Sequence, residues 1–155
     1  MAEPTIGDSA PQFSLPRDGG GNVATTDYAG KAIVVYIYPQ DDTSSCTAEA
    51  IDFSALLPEF EAAGAVVVGI SPDSPACHDR FKAKRGLGVI LASDEDRSVI
   101  EAYGAWGEKS LYGRKYMGVI RSTFLIDRDG RLARAWRNVR VKNHAREVLE
   151  AARAL

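Results

Sequence analysis

The pattern of apolar positions along the chain predicts alternating strands and helices. Residues 32–38 are β-branched and aromatic without a polar break, which predicts a strand buried on both faces. Apolar residues at three- and four-residue spacing over 46–63 predict a helix, and a second buried strand follows over 65–70. Another helix is expected to begin at Ser74 and Pro75, because a serine cap followed by proline is a frequent helix start.

The rest of the chain continues this alternation. Three more segments are predicted as regular elements, a strand over 88–92 and helices over 94–103 and 144–155. Residues 119–127 and 131–136 flank Arg128-Asp129-Gly130, which is a strong hairpin signal. Residues 18–22 form a predicted turn between two short extended pieces. This order predicts an α/β fold in one domain spanning 1–155, with a mixed central β-sheet and helices on both faces.

Composition and charge narrow the classes of partner. The 155 residues include 19 basic and 21 acidic ones, interspersed along the chain, for a net charge of −2. No basic patch emerges, so we expect neither nucleic acid nor a membrane as partner. The longest apolar runs, 32–38 and 62–70, are much shorter than the roughly 20 residues that span a bilayer. Residues 1–4 lack the features of a signal peptide, and we expect a cytoplasmic protein with a small or weakly charged substrate.

The two cysteines, Cys46 and Cys77, are too few for a disulfide scaffold. Cys46 falls where a loop is predicted to lead into a helix, so free backbone N–H groups and the positive helix end would stabilise a thiolate. The polar residues around it, 43–47, suit partial exposure better than core burial. The position therefore predicts a reactive nucleophile.

Several motifs resemble those of one known family. The pattern Pro39-x-x-x-Thr43-x-x-Cys46 resembles the active-site signature of the peroxiredoxins. Further motifs follow over nearly the whole chain: Gly7-Asp8-x-Ala10-Pro11-x-Phe13, Gly69-Ile70-Ser71-x-Asp73-Ser74, Tyr112-Gly113-x-x-Tyr116-Met117-Gly118 and Arg121-Ser122-Thr123-Phe124-Leu125-Ile126-Asp127. They are similar to the subgroup called PrxQ, or bacterioferritin comigratory protein. The predicted order of elements matches the thioredoxin-like fold that this resemblance implies.

The resemblance implies a thiol-dependent peroxidase that reduces hydrogen peroxide and organic hydroperoxides without a cofactor. Cys46 would attack one peroxide oxygen and become a sulfenic acid. Thr43 would hydrogen-bond the thiolate and the attacked oxygen, Arg121 would face the sulfur across the pocket, and Pro39 would shield it from water. Glu49, one helical turn beyond the cysteine, would orient Arg121 or another basic group.

Each of these roles has a simpler alternative. Thr43 could be only a helix cap, and Arg121 could be an ordinary surface arginine. Glu49 could be a first-turn carboxylate that interacts favourably with the helix dipole. Asp41 and Asp42 are interpreted as solvated loop residues rather than acid catalysts.

The partner that would resolve the sulfenic acid is left open by the sequence. In PrxQ proteins a resolving cysteine often lies five residues after the reactive one, where this chain has Ile51, or in the helix after the second strand, near Lys82. Cys77 lies in that predicted helix but five residues earlier, a rotation of roughly 500°, so it would face differently. Cys77 is a candidate resolving cysteine with a small core residue as the alternative. A metal site at Cys77 and His78 is not expected, because further ligands are missing nearby.

We compare three hypotheses about function. The first is a monomeric peroxidase recycled by thioredoxin or a similar dithiol. A disulfide oxidoreductase is disfavoured, because Thr43 and Glu49 occupy the positions where a Cys-x-x-Cys motif would need its second cysteine. A peroxide sensor or redox relay protein would share the first chemical step at Cys46, so the sequence leaves that alternative open.

Overall fold

A computed structural model describes residues 3–155. Within that range the chain forms nine strands and five α-helices. The strands are β1 (Ser14–Pro16), β2 (Asn22–Ala24), β3 (Ala32–Ile37), β4 (Ala65–Ser71), β5 (Ile90–Ser93), β6 (Trp106–Leu111), β7 (Arg114–Val119), β8 (Ser122–Ile126) and β9 (Leu132–Arg137). The helices are α1 (Ser44–Ala55), α2 (Leu57–Ala62), α3 (Pro75–Arg85), α4 (Ser98–Ala102) and α5 (His144–Arg153).

The central sheet is mixed and has the strand order β5-β4-β3-β8-β9. Strands β3, β4 and β5 run parallel, whereas β8 is antiparallel to β3 and β9 is antiparallel to β8. The pairs β1–β2 and β6–β7 form separate two-stranded antiparallel sheets. The predicted mixed sheet and the predicted β8–β9 hairpin are therefore confirmed.

The central strand β3 explains why its sequence shows no polar break. Val34 and Tyr36 pack into a core cluster that also contains residues of α1, α2, α3 and α5. Val35 and Ile37 point to the opposite face and pack with α4 and the N-terminal segment. Because successive side chains of a strand point to opposite faces, both sets must be apolar. The predicted helices on both faces of the sheet are confirmed.

The single helix predicted over 46–63 is wrong in one respect. The chain forms two helices there, and Leu56 separates them with φ −97° and ψ 1°. Pro58 lies in the first turn of α2. A continuous helix would need a backbone N–H at Pro58 to reach the carbonyl of Ser54, and proline has none. The apolar spacing continues across the break, which is why the pattern alone did not reveal it.

The hairpin formed by β6 and β7 was not predicted from the sequence. Its two-residue turn is Tyr112-Gly113, with φ of 51° and 78°. Turns of this kind favour asparagine or aspartate before the glycine, so a tyrosine there gives a weak signal. Tyr112 is almost fully exposed. None of the helices within residues 3–155 combines the length and the apolar character that crossing a bilayer requires.

Candidate active site

The site lies beyond the carboxyl end of β3, where the loop 38–43 leads into α1. This is the edge of an open α/β sheet at which functional side chains usually gather. Thr43 occupies the cap position of α1 with an extended backbone, but its side chain caps no N–H of that helix. Its hydroxyl donates instead to the carbonyl oxygen of Gln40, at 3.2 Å. The bond from Thr43 to the sulfur therefore stays a prediction.

Cys46 is the third residue of α1 and is only 1% exposed. The expected partial exposure is wrong, although Ser44 and Ser45 beside it are exposed. Cys46 shares its side of the helix with Ala50 and Phe53, four and seven residues on, and this side packs into the core. Polar neighbours in sequence therefore did not report the direction in which the thiol points.

Arg121 lies next to the sulfur. Its Nη2 donates to Cys46 Sγ at 3.2 Å, and its Nη1 donates to Glu49 Oε1 at 2.5 Å. The guanidinium reaches this position because Ser122, the next residue, pairs with Ile37 at the end of β3. The arginine side chain is 14% exposed, so the alternative of an ordinary surface arginine is wrong.

Glu49 is 2% exposed and lies one helical turn beyond Cys46. Burial raises the pKa of Glu49 to about 7, although the Arg121 cation acts in the opposite direction. Its second oxygen, Oε2, is buried without a hydrogen-bond partner within residues 3–155. The site thus holds an arginine between a thiol and a carboxyl group that can exchange a proton near neutral pH.

Asp41 was interpreted as a solvated loop residue, and the structure corrects this. Its side chain is 6% exposed. One carboxylate oxygen accepts a hydrogen bond from the Tyr38 hydroxyl at 2.6 Å, and the other lies 2.7 Å from His78 Nδ1. Its backbone N–H donates to Asp73 Oδ2 at 2.8 Å. No local pattern of residues indicates these partners, because α3 must fold back onto the loop to supply one of them.

Asp42, the next residue, is more exposed and is also held by α3. Its carboxylate accepts from Lys84 Nζ at 2.7 Å and from Arg85 Nη2 at 2.8 Å. The side chain of Asp42 is 34% exposed, so the interpretation as a partly solvated loop residue fits better here. The loop before Cys46 is therefore tied to α3 by two adjacent aspartates.

Cys77 lies in the first turn of α3 and is partly exposed. Its backbone N–H donates to Ser74 Oγ, and its Sγ accepts from Arg80 Nη2 at 3.2 Å. It is free, as is Cys46. The buried residue of this turn is instead His78, whose Nε2 lies 3.0 Å from the carbonyl oxygen of Ala92.

Lys82 occupies the position where the resemblance places a second cysteine in some relatives. Its Nζ donates to Asp18 Oδ2 at 2.8 Å, and Asp18 is 6% exposed. Asp18 also accepts from the backbone N–H of Leu91. At this position α3 therefore has an ion pair to the β1–β2 turn.

Comparison with known proteins identifies the family. The AhpC/TSA family matches residues 6–135. Peroxiredoxin Bcp of Bacillus subtilis is 46% identical over 145 residues, covering 94% of this chain and 92% of that protein. Peroxiredoxin Bcp of Escherichia coli is 43% identical over 143 residues, covering 92% of each.

Solved structures agree with this assignment. Peroxiredoxin Q of Xanthomonas campestris superposes with a TM-score of 0.87 at 44% identity, covering 92% of this chain and 90% of that chain. A cysteine-to-serine variant of PrxQ from Xylella fastidiosa gives a TM-score of 0.92 at 38% identity, covering 99% and 98%. These matches confirm the thioredoxin-like fold and the thiol-dependent peroxidase that the sequence predicted. The chain belongs to the AhpC/TSA family, among the Bcp or PrxQ peroxiredoxins.

Proposed function

We propose that Cys46 is the thiol that reduces the peroxide. The observation that carries this proposal is the 3.2 Å contact between its Sγ and the guanidinium of Arg121, inside an otherwise closed site at the start of α1. A cation and a helix N-terminus both favour the thiolate, which is the nucleophilic form of cysteine. Cys77 has an exposed arginine beside it and lacks that enclosure.

Arg121 would also bind the peroxide. Part of its side chain reaches the surface, so a small molecule can approach the sulfur along the guanidinium. Donors fixed at the oxygen that gains charge during O–O cleavage typically contribute a factor of about 10²–10³ in rate. Glu49 holds the guanidinium on its far side, which supports the orienting role predicted for it.

Thr43 and Pro39 would complete the site. A hydroxyl has one proton to donate, so the proposed bond from Thr43 to the peroxide or sulfur would replace its present bond to Gln40. Pro39 is half-buried and follows the fully buried Tyr38. Its ring brings no N–H group to the pocket and would help to exclude water from the sulfur.

Hydrogen peroxide and organic hydroperoxides are the proposed substrates. The bacterioferritin comigratory protein of Xanthomonas campestris, known for alkyl peroxide reduction activity, is 40% identical to this chain with a TM-score of 0.89. A peroxide need offer only its O–O group to Cys46 and Arg121. Cys46, Arg121 and Glu49 all come from one chain, which supports a protein that works as a monomer.

The sulfenic acid would then be reduced by thioredoxin or a similar dithiol. Ile51 occupies the usual position of the second cysteine, and Lys82 is held by Asp18 at the alternative position. Cys77 is hydrogen-bonded within its own helical turn, and the loop before Cys46 is tied to α3 by Asp41 and Asp42. An external thiol is therefore favoured over Cys77, and the reducing conditions of the expected cytoplasmic location suit it.

The test is peroxide consumption by Cys46→Ser, with Cys77→Ser as the matched control. We expect Cys46→Ser to lose all thiol-dependent consumption, because Cys46 supplies the sulfur that contacts Arg121. Cys77→Ser should keep the rate of the first oxidation step, measured by stopped flow. Consumption retained in Cys46→Ser would contradict the assignment. Rapid oxidation of the unaltered protein without turnover by any dithiol would favour the peroxide sensor instead.

A further inference from the structure

Arg121 joins two acidic groups within the buried site. Its Nη2 donates to Cys46 Sγ and its Nη1 donates to Glu49 Oε1. Cys46 and Glu49 are three residues apart on α1, so both side chains lie on the same face of that helix. The sulfur and the carboxyl group are therefore held side by side on the two terminal nitrogens of one guanidinium.

The charges at this site balance only when one proton is shared. Cys46 and Glu49 are almost completely buried, and burial disfavours a site with net charge. The single cation of Arg121 neutralises one anion. The site is thus neutral when Cys46 and Glu49 together hold one proton. In that neutral state the thiolate is present when the proton lies on Glu49.

The polar groups of β3 and α5 near Arg121 preserve this balance near neutral pH. Burial raises the pKa of Tyr36, on β3, well above its usual range, and burial lowers the pKa of His144, on α5, to about 4. Both side chains are therefore uncharged. Burial is the main reason that the pKa of Glu49 is about 7, and the carboxylate of Asp52 on α1 acts in the same direction.

One oxygen of Glu49 is free to interact with a bound peroxide. Its Oε2 is buried and has no hydrogen-bond partner within the part of the chain that the structure describes. Buried polar atoms in proteins nearly always have a partner. A peroxide bound between Cys46 and Arg121 would supply one, since Glu49 Oε1 already shares the same guanidinium.

We propose that Glu49 is a catalytic acid that passes the thiol proton of Cys46 to the departing oxygen of the peroxide. This role rests on Cys46 being the peroxide-reducing thiol. Glu49 first accepts the thiol proton, and the thiolate then attacks the terminal oxygen of the hydroperoxide. The S–O bond forms as the O–O bond breaks, and the electron pair of that bond leaves on the other oxygen. Glu49 protonates this oxygen.

The step balances without any other reactant. The hydroperoxide's own proton stays on the attacked oxygen, so the sulfur becomes a sulfenic acid. The departing oxygen leaves as an alcohol or water, and Glu49 is left as a carboxylate paired with Arg121. Sulfur loses two electrons and the peroxide gains them. A positioned acid accelerates a reaction by giving a proton to a basic leaving group as that group departs.

The decisive experiment compares two peroxides that differ in leaving group. Glu49→Gln keeps the size of the side chain and an oxygen for Arg121, but the amide has no acidic proton to donate to the departing oxygen. With tert-butyl hydroperoxide, whose alkoxide needs a proton, we expect the second-order rate constant of Cys46 oxidation to fall about 10²–10³-fold. With peracetic acid, whose acetate needs none, the rate constant should change less than about 5-fold. Stopped flow measures both.

Asp52→Asn is the matched control, because it makes the same carboxyl-to-amide change on the same helix. It should leave the ratio of the two rate constants nearly unchanged, because the charge of Asp52 is the smallest of the influences on Glu49. If Glu49→Gln lowers the rate constant equally with both peroxides, Glu49 only positions Arg121. If the rate constants with both peroxides are unchanged, Glu49 is not a catalytic acid. If neither peroxide oxidises Cys46 in the unaltered protein, the proposed function itself is wrong.

A second measurement needs no variant. In the unaltered protein the rate constant with tert-butyl hydroperoxide should pass through a maximum and fall as the pH rises above about 7, because Glu49 then loses the proton that it donates. In Glu49→Gln this alkaline decline should be absent. A rate constant that rises to a plateau and stays there up to pH of about 9 in the unaltered protein would overturn the proposal.

Discussion

Cys46 and Cys77 have nearly the same local surroundings. Each is the third residue of a helix, and each Sγ accepts a hydrogen bond from an arginine Nη2 at 3.2 Å. Their arginines differ in origin. Arg121 lies between β7 and β8, 75 residues further along the chain, whereas Arg80 lies three residues further along the same helix.

The two cysteines differ in burial and in what else the arginine binds. Cys46 is 1% exposed, and its arginine also binds the buried Glu49, whereas Cys77 is partly exposed and Arg80 is exposed. Water screens an exposed ion pair, so the net stabilisation is small. The same contact within a low-dielectric site is much stronger. We therefore expect the enclosure of the pair, rather than the closeness of an arginine alone, to make the thiol reactive.

The largest expected effect comes from removing the enclosed arginine. Arg121→Gln should slow the oxidation of Cys46 by hydrogen peroxide about 10²–10³-fold, because the donor at the sulfur and the bound peroxide is lost. Stopped-flow fluorescence or competition with a peroxide-sensitive reporter measures this rate. Arg80→Gln is the matched control and should stay within about 2-fold of the unaltered protein. Similar losses in both variants would erase the distinction between the two sites.

An intermediate effect on the free energy of unfolding is expected in the loop before Cys46, which Asp41 and Asp42 tie to α3. Asp41→Asn removes the charged acceptor of His78 and Tyr38 in a buried position, and should lower the free energy of unfolding by about 1–3 kcal/mol. Asp42→Asn makes the same change one residue on, at an exposed ion pair, and should cost less than about 1 kcal/mol. Urea denaturation compares the two. Equal losses would mean that the buried network does not hold this loop.

The smallest effect is expected at Cys77. In a Cys46→Ser background, Arg80→Gln should change the rate of Cys77 alkylation by iodoacetamide less than about 3-fold, because an exposed arginine influences a thiol weakly. Mass spectrometry of timed samples gives the rate. A change of more than about 10-fold would show that local contacts alone can tune a thiol of this protein, contrary to the comparison with Cys46.

The fold was largely predictable, and the site only in part. The uninterrupted apolar run of β3 and the helix that follows placed Cys46 at the carboxyl end of a central strand. The hairpin 106–119 was not predicted, because its turn Tyr112-Gly113 lacks the asparagine or aspartate that usually precedes the glycine. The prediction for Asp41 is wrong because its partner His78 is 37 residues distant and belongs to α3. The family resemblance, rather than a local pattern of residues, predicted that Arg121 belongs to the site.

By itself, the sequence determined the order of strands and helices, the position of Cys46 at a helix start, and the family. These properties depend on residues within a few positions of one another, or on motifs that can be compared directly. The tertiary structure decided that Cys46 is enclosed, that Arg121 lies between it and Glu49, and that Asp41 is buried. Asp41 is buried because α3 packs onto its loop, and Arg121 reaches the site through the antiparallel pairing of β8 with β3. That pairing joins segments far apart in the chain, and no local pattern of residues specifies it.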